Sequence, residues 1–343
     1  MAIQRRRVEG NAHDLESGNS EALTKKRRVN VFKRYCNVFV LLWLLGSMVI
    51  LCWMRRSHED TVLRLGAEQL RAACMQGGCD RELIPILMPV YGRPEYLKRV
   101  FAGLKRVASA QRSVLVISQD GSNEQITTLV QSSLSAMPMP VIWLRHERPY
   151  FGVPSWFLRS DYTTAANIFF LLRFAFEHVN ATAAITLESD LVPSVDFYEY
   201  FRWAHGAVRA NETLRRRTLT ISAFNTESRE NADPFSFYED GFMVWGWLCP
   251  RWSWPRIRDG WTWFHNWDIN VEHSVRRPAG LISLTPSVCR VKNIGMQGIN
   301  FDVHESDIAA HRKFYGMYTP ERTFEFAGKE PRLVPPIKRL QGA

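Results

Sequence analysis

The sequence lacks internal repeats and low-complexity tracts, and only six of its 343 residues are cysteine. These cysteines do not form the paired C-x₂₋₄-C spacings of a structural zinc site, which argues against one. With 46% hydrophobic and 12% aromatic residues, the composition excludes wholesale disorder and a fibrous architecture. The length is sufficient for one large domain or two modest ones with a buried core.

Acidic residues are too few to balance the basic ones, since 34 Asp and Glu stand against 44 Lys and Arg. Half of the resulting net charge of +10 lies in residues 1–34, which carry nine basic and four acidic side chains. The rest of the chain is only mildly basic, so we expect no nucleic-acid partner. The basic clusters are interpreted as topology determinants, with a nuclear-localisation or RNA-binding role as the weaker alternative.

One long apolar run is present, because residues 38–54 contain no charged side chain. Extended to residues 35–54, a helix of this length spans the ~30 Å of a bilayer core. The run starts too late for a cleaved signal peptide and has no small-residue cleavage site. Six basic residues lie in 25–34, against Arg55 and Arg56 on the other side. The positive-inside rule then predicts a cytosolic tail, a type II signal anchor and a lumenal remainder; a buried helix of a soluble core is the alternative.

Four cysteines lie beyond the predicted anchor, where an oxidising compartment would favour an even number of paired thiols. They are Cys74, Cys79, Cys249 and Cys289. Proximity favours the pairs Cys74–Cys79 and Cys249–Cys289, although four cysteines allow three connectivities. Two glycosylation sequons, at Asn180 and Asn211, fall on the same side of the anchor and are candidate N-glycosylation sites.

Beyond residues 55–82, which we interpret as a short stem, apolar runs and helical patterns alternate. The predicted strands are 84–90, 113–119, 141–145, 183–187 and 219–224, and the predicted helices are 94–108, 123–134, 165–179 and 196–209. This alternation predicts an α/β domain with a mostly parallel sheet and helices on both faces. We place this lumenal domain at 83–325, followed by a C-terminal tail at 326–343.

Polar side chains follow three of the predicted strands, at Arg93, at Asp120, and at Glu188 with Asp190. Ligands of parallel α/β sheets bind outside the carboxyl ends of the strands, so we expect these residues to converge on one crevice. Two carboxylates two positions apart supply hard oxygen ligands for Mg²⁺ or Mn²⁺, whose shell a substrate's phosphates would complete. In an anchored lumenal domain this set indicates a nucleotide-sugar transferase, whereas Glu-x-Asp alone would fit a surface turn.

An ordered series of segments, covering roughly residues 83–315, carries a family resemblance. The segments are PVYGRPEYLKRVFAGL, VLVISQDGSNE, AAITLESDLVPSVDFYEYF, LTISAFN, VWGWLCPRWSW, FHNWDINVEHSVRRP and TPSVCRVKNIGMQGINFDVHESDIAAHRKF. In this order they resemble the N-acetylglucosaminyltransferase I family (glycosyltransferase family 13), which includes the enzyme that extends O-linked mannose. The resemblance implies a Rossmann-like GT-A fold, Mn²⁺, and inverting transfer from UDP-N-acetylglucosamine in β-1,2 linkage to a terminal α-mannose of a glycoprotein. It also implies a Golgi membrane enzyme with its catalytic domain in the lumen, with endoplasmic-reticulum residence as the alternative.

The resemblance assigns the donor site residue by residue. Arg93 would hold uridine or the diphosphate, and Asp120 would accept the uracil N–H. Glu188 would contact the transferred sugar, and Asp190 would ligate the metal. Ser189 stands where the family has a third acidic residue that contacts the ribose, so its hydroxyl is expected to replace or weaken that contact.

The acceptor side follows from two further segments. Trp267-Asp268 resembles the family's tryptophan-aspartate motif, so Asp268 would be the general base that deprotonates the acceptor hydroxyl; a helix N-cap is the alternative for this residue taken alone. The loop 295–300 resembles a lid that closes on the donor, with Ile299 and Asn300 as donor contacts.

Departures from the family pattern bear on substrate identity. Besides Ser189, the histidine expected near uracil has no counterpart, since Leu171 falls at about its position. Asp268 is followed by Ile269 and Asn270 instead of a second acid and a tryptophan. The alternatives are therefore the same fold with another UDP-sugar, such as UDP-galactose, or another acceptor, such as O-mannose, and an inactive lectin-like membrane-anchored protein.

Tryptophan is concentrated in one region, because seven of the 12 tryptophans lie between positions 245 and 267. We expect most of them to pack in the core. Trp245 and Trp247 are the candidates for stacking on the acceptor sugar, since indole rings pack well on the apolar faces of sugars.

Overall fold

A computed structural model of the chain describes most of the predicted lumenal domain and part of the segment before it. The described residues are 37–50, 53–54, 56–75, 79, 82–146, 160–226, 228, 231–262, 265–295, 297–298, 301–302, 321 and 323–334. The chain divides into two units, Met1–Glu59 and Asp60–Ala343.

In the first unit, residues 37–50 are helical and their large apolar side chains are exposed, Phe39 at 70% for example. Part of the predicted anchor, at residues 35–36 and 51–52, lies outside the described residues. Within the described part of the chain, none of the helices combines the length and the apolar character needed to cross a bilayer.

The second unit is built on a nine-stranded sheet. Its strands are β1 Ile86–Val90, β2 Leu115–Asp120, β3 Val141–His146, β4 Ala183–Thr186, β6 Thr218–Ser222, β7 Ser236–Asp240, β8 Trp247–Pro250, β9 Ile282–Pro286 and β13 Arg332–Val334. Their order across the sheet is β13-β7-β9-β6-β8-β4-β1-β2-β3. Strands β4, β1, β2 and β3 run parallel, while β8 pairs antiparallel with both β4 and β6. The mixed α/β fold with a mostly parallel central sheet is therefore confirmed, with β8 inserted between two predicted strands.

Helices cover both faces of the sheet. They are α1 Pro94–Leu104, α2 Glu124–Ser133, α3 Ser160–Arg173, α4 Phe197–Ala210, α5 Glu212–Arg217, α6 Trp254–Gly260 and α7 Trp267–Ile269; α3 continues as a π-helix at Phe174–His178, and α7 at Asn270–Arg276. The apolar sides of α1, α2 and α4 pack in one core cluster, and those of α3, α6 and α7 pack in the other. Strand side chains alternate between these clusters, as the pleat requires: Met88 of β1 enters the first and Leu87 the second.

Residues 60–75, which the sequence assigned to the stem, are helical in this unit. Leu63, Ala67 and Leu70 are buried in the core cluster of α3. The disulfide Cys74–Cys79, with an S–S distance of 2.02 Å, follows this apolar stripe and confirms the first predicted pair.

The second predicted pair is wrong, because Cys249 and Cys289 are both free and buried. Cys249 of β8 points into the cluster of α3, whereas Cys289 belongs to the cluster on the opposite face of the sheet. The Cys289 thiol instead donates a hydrogen bond to the backbone oxygen of Asn225 at 3.0 Å. Both sequon residues, Asn180 and Asn211, are exposed.

Small antiparallel pairs complete the described chain. Strand β5 Leu191–Pro193 pairs with β10 Val291–Asn293, and β11 Gln297–Gly298 pairs with β12 Phe301–Asp302. A fully buried ion pair joins the chain next to the first of these strand pairs: Arg290, just before β10, places its Nε 2.9 Å from Oδ2 of Asp196, which lies shortly after β5. Because β5 directly follows Asp190, its pairing with the distant β10 fixes the backbone next to the predicted metal ligand.

Candidate active site

A cavity of about 700 Å³ opens at the carboxyl ends of β1, β2 and β4. The predicted donor residues Arg93, Asp120, Glu188 and Ser189 all line it. The three strands are neighbours and parallel, so their ends meet at one edge of the sheet. The structure therefore brings these four residues together at one crevice, as expected from their positions near strand ends. Their individual roles stay predictions.

Arg93 holds an unusual backbone conformation at the mouth of this cavity. Its φ of 60° and ψ of 62° lie in the left-handed region, which a side chain with a Cβ adopts only at a cost. The next residue, Pro94, begins α1 with its fixed φ. This turn directs the guanidinium toward the end of β4, where its Nη1 lies 2.9 Å from Asp190 Oδ2.

Glu188 is the most perturbed carboxyl group of the site. Burial and the nearby Asp190 carboxylate raise its pKa to about 8, against the opposing effect of Arg93. Its Oε1 atom is shielded from solvent and, among the described residues, has no hydrogen-bond partner. Burial and the neighbouring carboxylate thus both disfavour the ionised form of Glu188, and Arg93 offsets them only in part.

The loop after β10 closes on the other side of Asp190. The Ile294 N–H donates to the backbone oxygen of Asp190 at 2.9 Å, and the Gly295 N–H donates to Asn293 Oδ1 at 2.8 Å. A Cβ on Gly295 would stand 2.6 Å from Asp190 Oδ2. The predicted lid thus starts in direct contact with the predicted metal ligand; Ile299 and Asn300 lie outside the described residues.

Asp120, the last residue of β2, pairs across the sheet with His146, the last residue of β3. Its Oδ1 lies 3.3 Å from His146 Nδ1, and both side chains are almost completely buried. Sequence reasoning missed His146, since it lies in the polar run that follows the apolar part of β3. Its placement became visible only through the pairing of the two strands.

Helix α3, in which Leu171 falls at about the position of the family's histidine, contributes Asn167 to the cavity near Asp120. Asn167 lines the cavity, donates from Nδ2 to the Ser118 backbone oxygen at 3.2 Å and accepts from Ser118 Oγ at 2.5 Å. Leu171 is buried one helical turn farther on, in the core cluster. The polar residues of α3 that line the cavity are therefore Thr164 and Asn167, whereas Leu171 does not reach it.

Asp268 lies in α7, partly exposed, and accepts a hydrogen bond from the Ile269 N–H at 2.8 Å. It is close enough to Glu188 to contribute to the raised pKa of that carboxyl group. Asn270, fully buried just after it, organises the preceding loop: Oδ1 accepts from the Thr262 N–H at 2.8 Å, and Nδ2 donates to the Thr262 and His265 backbone oxygens at 2.9 and 3.2 Å.

The two acceptor candidates differ in exposure. Trp247 is completely buried, stacked on Trp267 at 5.9 Å and packed edge-on against Phe242, so its assignment to acceptor contact is corrected. Its position in the middle of the sheet, on β8, explains the burial. Trp245 is partly buried and packs edge-on against Phe224 at 4.5 Å, so it stays a candidate.

The carboxylates of the site are few for a metal centre built by protein ligands alone. Among the described residues, no cluster unites three or more His, Cys, Asp or Glu side chains. Mg²⁺ and Mn²⁺ nevertheless bind through one or two carboxylates when substrate phosphates supply the other ligands. Asp190 fits that requirement as the single carboxylate ligand, since its Oδ2 already lies 2.9 Å from a cationic group, the Arg93 guanidinium.

Solved structures with a similar chain course include two glycosyltransferases. One is a mannosyltransferase from Pyrobaculum calidifontis in complex with GDP-Man and Mn²⁺, with 12% identity, a TM-score of 0.41, and coverage of 73% of this chain and 69% of that one. The other is mouse xyloside xylosyltransferase 1 in its apo form, with 14% identity, a TM-score of 0.33, and coverage of 51% and 69%.

Sequence comparison gives a curated relative and a family. The alpha-1,3-mannosyl-glycoprotein 2-beta-N-acetylglucosaminyltransferase of Arabidopsis thaliana is 25% identical over 238 residues, which cover 66% of this chain and 50% of the relative. The chain thus spans about half the length of that relative. The model of the GNT-I family matches residues 57–314, which include every described residue that lines the cavity. The chain therefore belongs to the GNT-I family of glycosyltransferases.

Proposed function

We propose that this protein transfers N-acetylglucosamine from UDP-N-acetylglucosamine to the 2-hydroxyl of a terminal α-mannose on a glycoprotein, with inversion at the anomeric carbon. The observation that carries the proposal is the convergence of Arg93, Asp120, Glu188 and Asp190 at one edge of the sheet. The name of the Arabidopsis relative supports the choice of donor sugar and acceptor.

Each part of the donor meets a chemically suitable group in this arrangement. Asp120, at the end of β2, is an acceptor for a nucleobase N–H. The Arg93 guanidinium matches phosphate oxygens, because its planar donors bind them in pairs. The Oε1 atom of Glu188, which is buried and has no hydrogen-bond partner among the described residues, is available for a hydrogen bond with a sugar hydroxyl.

Asp190 would hold a divalent metal, Mn²⁺ or Mg²⁺, together with the diphosphate. When bound, such an ion supplies positive charge where the leaving diphosphate becomes more negative. Arg93 adds a fixed positive charge at the same place, since it already lies against Asp190.

Asp268 is proposed as the general base. Its carboxylate takes the proton of the acceptor 2-hydroxyl while that oxygen forms a bond to the anomeric carbon and the bond to the UDP oxygen breaks. The products are the β-linked disaccharide unit and UDP, with the proton on Asp268. The partly exposed position of Asp268 in α7 is compatible with an acceptor that arrives from solvent.

We further propose that residues 35–54 anchor the chain in the Golgi membrane as a type II protein, with residues 55–343 in the lumen. The disulfide Cys74–Cys79 supports an oxidising compartment for the second unit. The exposed apolar side chains of residues 37–50 support a nonaqueous environment for that segment.

A panel of UDP-sugars with a mannose-terminated acceptor tests the proposal on the purified full chain in detergent. We expect UDP release and a β-1,2-linked product with UDP-N-acetylglucosamine and Mn²⁺, and little product with the other UDP-sugars. Turnover of a different UDP-sugar would change the donor. Glycan binding without turnover of any of them would favour the lectin-like alternative.

The metal ligand is tested in the same assay with Asp190→Asn. This change removes the negative charge that holds the cation, so we expect a loss of at least about a hundredfold in activity, as for other single electrostatic groups at reacting centres. Asp259→Asn, at an exposed pair with Arg258, is the matched control and should retain activity. Full activity of Asp190→Asn at limiting Mn²⁺ would exclude the metal assignment.

A further inference from the structure

A buried pair of ionisable side chains, Asp120 and His146, lies at the inner end of the cavity. Sheet pairing sets them opposite each other at the last positions of β2 and β3. Asp120 Oδ1 and His146 Nδ1 are 3.3 Å apart, and the side chains are 2% and 1% exposed. Since a carboxylate can only accept, Nδ1 carries the hydrogen of this contact.

Two contacts hold His146 in place. The His146 backbone oxygen accepts a hydrogen bond from the Gly121 N–H at 2.9 Å, which joins the end of β3 to the turn after β2. Its ring packs on Phe170 of α3, with centroids 5.0 Å apart and the planes tilted by 50°. His146 is therefore fixed by the sheet and by a helix, so that its Nδ1–H can hold the Asp120 carboxylate in one orientation.

Only one member of the pair faces the cavity. Asp120 lines it together with Asn167, while His146 lies behind Asp120 and is not among the lining residues. Asn167 is itself fastened to Ser118 of β2 by two hydrogen bonds. The polar wall of the cavity is thus rigid on both sides of the Asp120 carboxylate, as a subsite that reads a flat ring requires.

We propose that His146 is a positioning residue that sets nucleobase specificity: by donating from Nδ1 to Asp120, it orients that carboxylate to accept the imide N–H of uracil. Cytosine carries an unprotonated N3 at the same place, so two acceptors would face each other and cytidine nucleotides would be rejected. This inference rests on the proposed function, since it concerns the base of the same donor.

Calorimetric titration of the full chain with UDP and with CDP, each with Mn²⁺, tests the inference. The wild-type protein should bind UDP more tightly than CDP. His146→Phe keeps a ring against Phe170 but removes the donor, so the UDP affinity should fall about tenfold, because hydrogen bonds to charged groups contribute on this scale. The ratio of the UDP to the CDP affinity should fall toward one.

Two further substitutions separate orientation from packing. His146→Asn places an amide donor where Nδ1 stands and should restore most of the UDP preference. His146→Met removes the donor with a flexible side chain, should the phenylalanine variant not fold, and should lose the preference. In the transfer reaction, KM for the donor should rise in His146→Phe while kcat changes much less.

His205→Phe is the matched control, because His205 is likewise buried and stacks on another aromatic ring, Trp252, with centroids 5.3 Å apart. It should keep the wild-type ratio. A folded His146→Phe or His146→Met protein with the wild-type UDP to CDP ratio would overturn the inference, as would an equal loss in His205→Phe. Absence of UDP binding to the wild-type protein would overturn the proposed function itself, whereas UDP binding that is indifferent to His146 overturns only this inference.

Discussion

Asp190 Oδ2 occupies the space that any side chain at Gly295 would need, with only 2.6 Å between that oxygen and a Cβ at position 295. The contact joins the end of β4 to the loop after β10, which are far apart in sequence. The Gly295 N–H is in turn bound to Asn293 Oδ1. The loop that is predicted to close on the donor is thus seated directly on the predicted metal ligand.

Gly295→Ala should therefore disable the site without unfolding the protein. The new methyl group must push the Asp190 carboxylate aside, and misplacement of a reacting group by about 1 Å can cost on the order of a hundredfold in rate. We expect a large loss of Mn²⁺-dependent transfer, measured as product formation across a Mn²⁺ titration.

Gly206→Ala is the matched control for that substitution. Gly206 lies inside α4 with open space around its Cα, and alanine favours a helix interior by up to about 1 kcal/mol over glycine. This control should melt at the same or a higher temperature and keep wild-type activity. Unchanged Mn²⁺ dependence in Gly295→Ala would contradict the assigned role of Asp190.

Asn270→Ala should weaken catalysis through the loop that precedes Asp268. The substitution removes the hydrogen bonds of a fully buried amide to Thr262 and His265, which should lower stability by about 1–3 kcal/mol. We expect kcat to fall together with stability, because α7 then starts from a loosened loop. Denaturant unfolding and steady-state kinetics on the same samples provide the measurement.

Asn211→Ala distinguishes a local effect from general destabilisation. Asn211 caps α5 by accepting from the Leu214 N–H at 3.0 Å, so its loss should cost about 1 kcal/mol. The kcat of this variant should stay at the wild-type value. If Asn270→Ala also kept its kcat despite lower stability, Asn270 would have no role in presenting Asp268.

The stability of the protein should depend on Glu272 at acidic pH. Burial alone would raise its pKa, but hydrogen bonds from Arg276, the Phe242 N–H and Arg277 outweigh burial and lower the pKa to about 2. The folded-state pKa is below the unfolded one, so the contribution is complete above the ordinary pKa of 4.5 and is lost as pH falls from there toward 2.

The measurement is the free energy of unfolding between pH 6 and pH 2 for the wild type and for Glu272→Gln. The wild type should lose stability more steeply below about pH 4.5, while the glutamine variant, which cannot titrate here, should show a shallower slope. Identical slopes would show that the hydrogen-bonded ion pairs of Glu272 with Arg276 and Arg277 do not stabilise the folded protein.

The four cysteines of the second unit should divide into one disulfide and two unreactive thiols. Burial raises the pKa of Cys249 well above its usual range, and burial likewise raises the pKa of Cys289 to about 11. Because the thiolate is the reactive form, an alkylating agent should label neither thiol in the native protein and both after denaturation without reductant. Peptide mass mapping checks this; a Cys249–Cys289 linked peptide would refute the arrangement.

The amino-acid pattern was sufficient for the elements on which the site is built. The apolar runs at β1, β2 and β4 and the amphipathic stripe of α1 each signal their structure within a few residues; Asp120 is the last residue of β2, and Glu188 lies two residues after the end of β4. Strands β7, β8, β9 and β13 of the central sheet were missed. Strand β8 is a run of only four residues, Trp247–Pro250, and it becomes a strand only because β4 and β6 supply partners on both sides.

Helix α3 shows which feature of the site local sequence patterns could not predict. The sequence identified a long apolar helix, but it could not tell which turn would reach the cavity. The packing of α3 against β2 places Asn167 there and Leu171 in the core. One turn of a helix moves a residue by about 5.4 Å, which separates a ligand contact from a buried side chain.

The sequence by itself determined the alternation of strands and helices, the position of the predicted donor residues at or just after the ends of strands, and the short-range Cys74–Cys79 pair. Periodicity and proximity along the chain are local properties, so these features can be predicted without knowing which distant segments pack against them. The tertiary structure alone decided that Cys249 and Cys289 face opposite sides of the sheet, that Trp247 is buried, and that His146 stands behind Asp120. These relationships depend on the lateral order of strands, which is set by contacts between distant residues that no local pattern encodes.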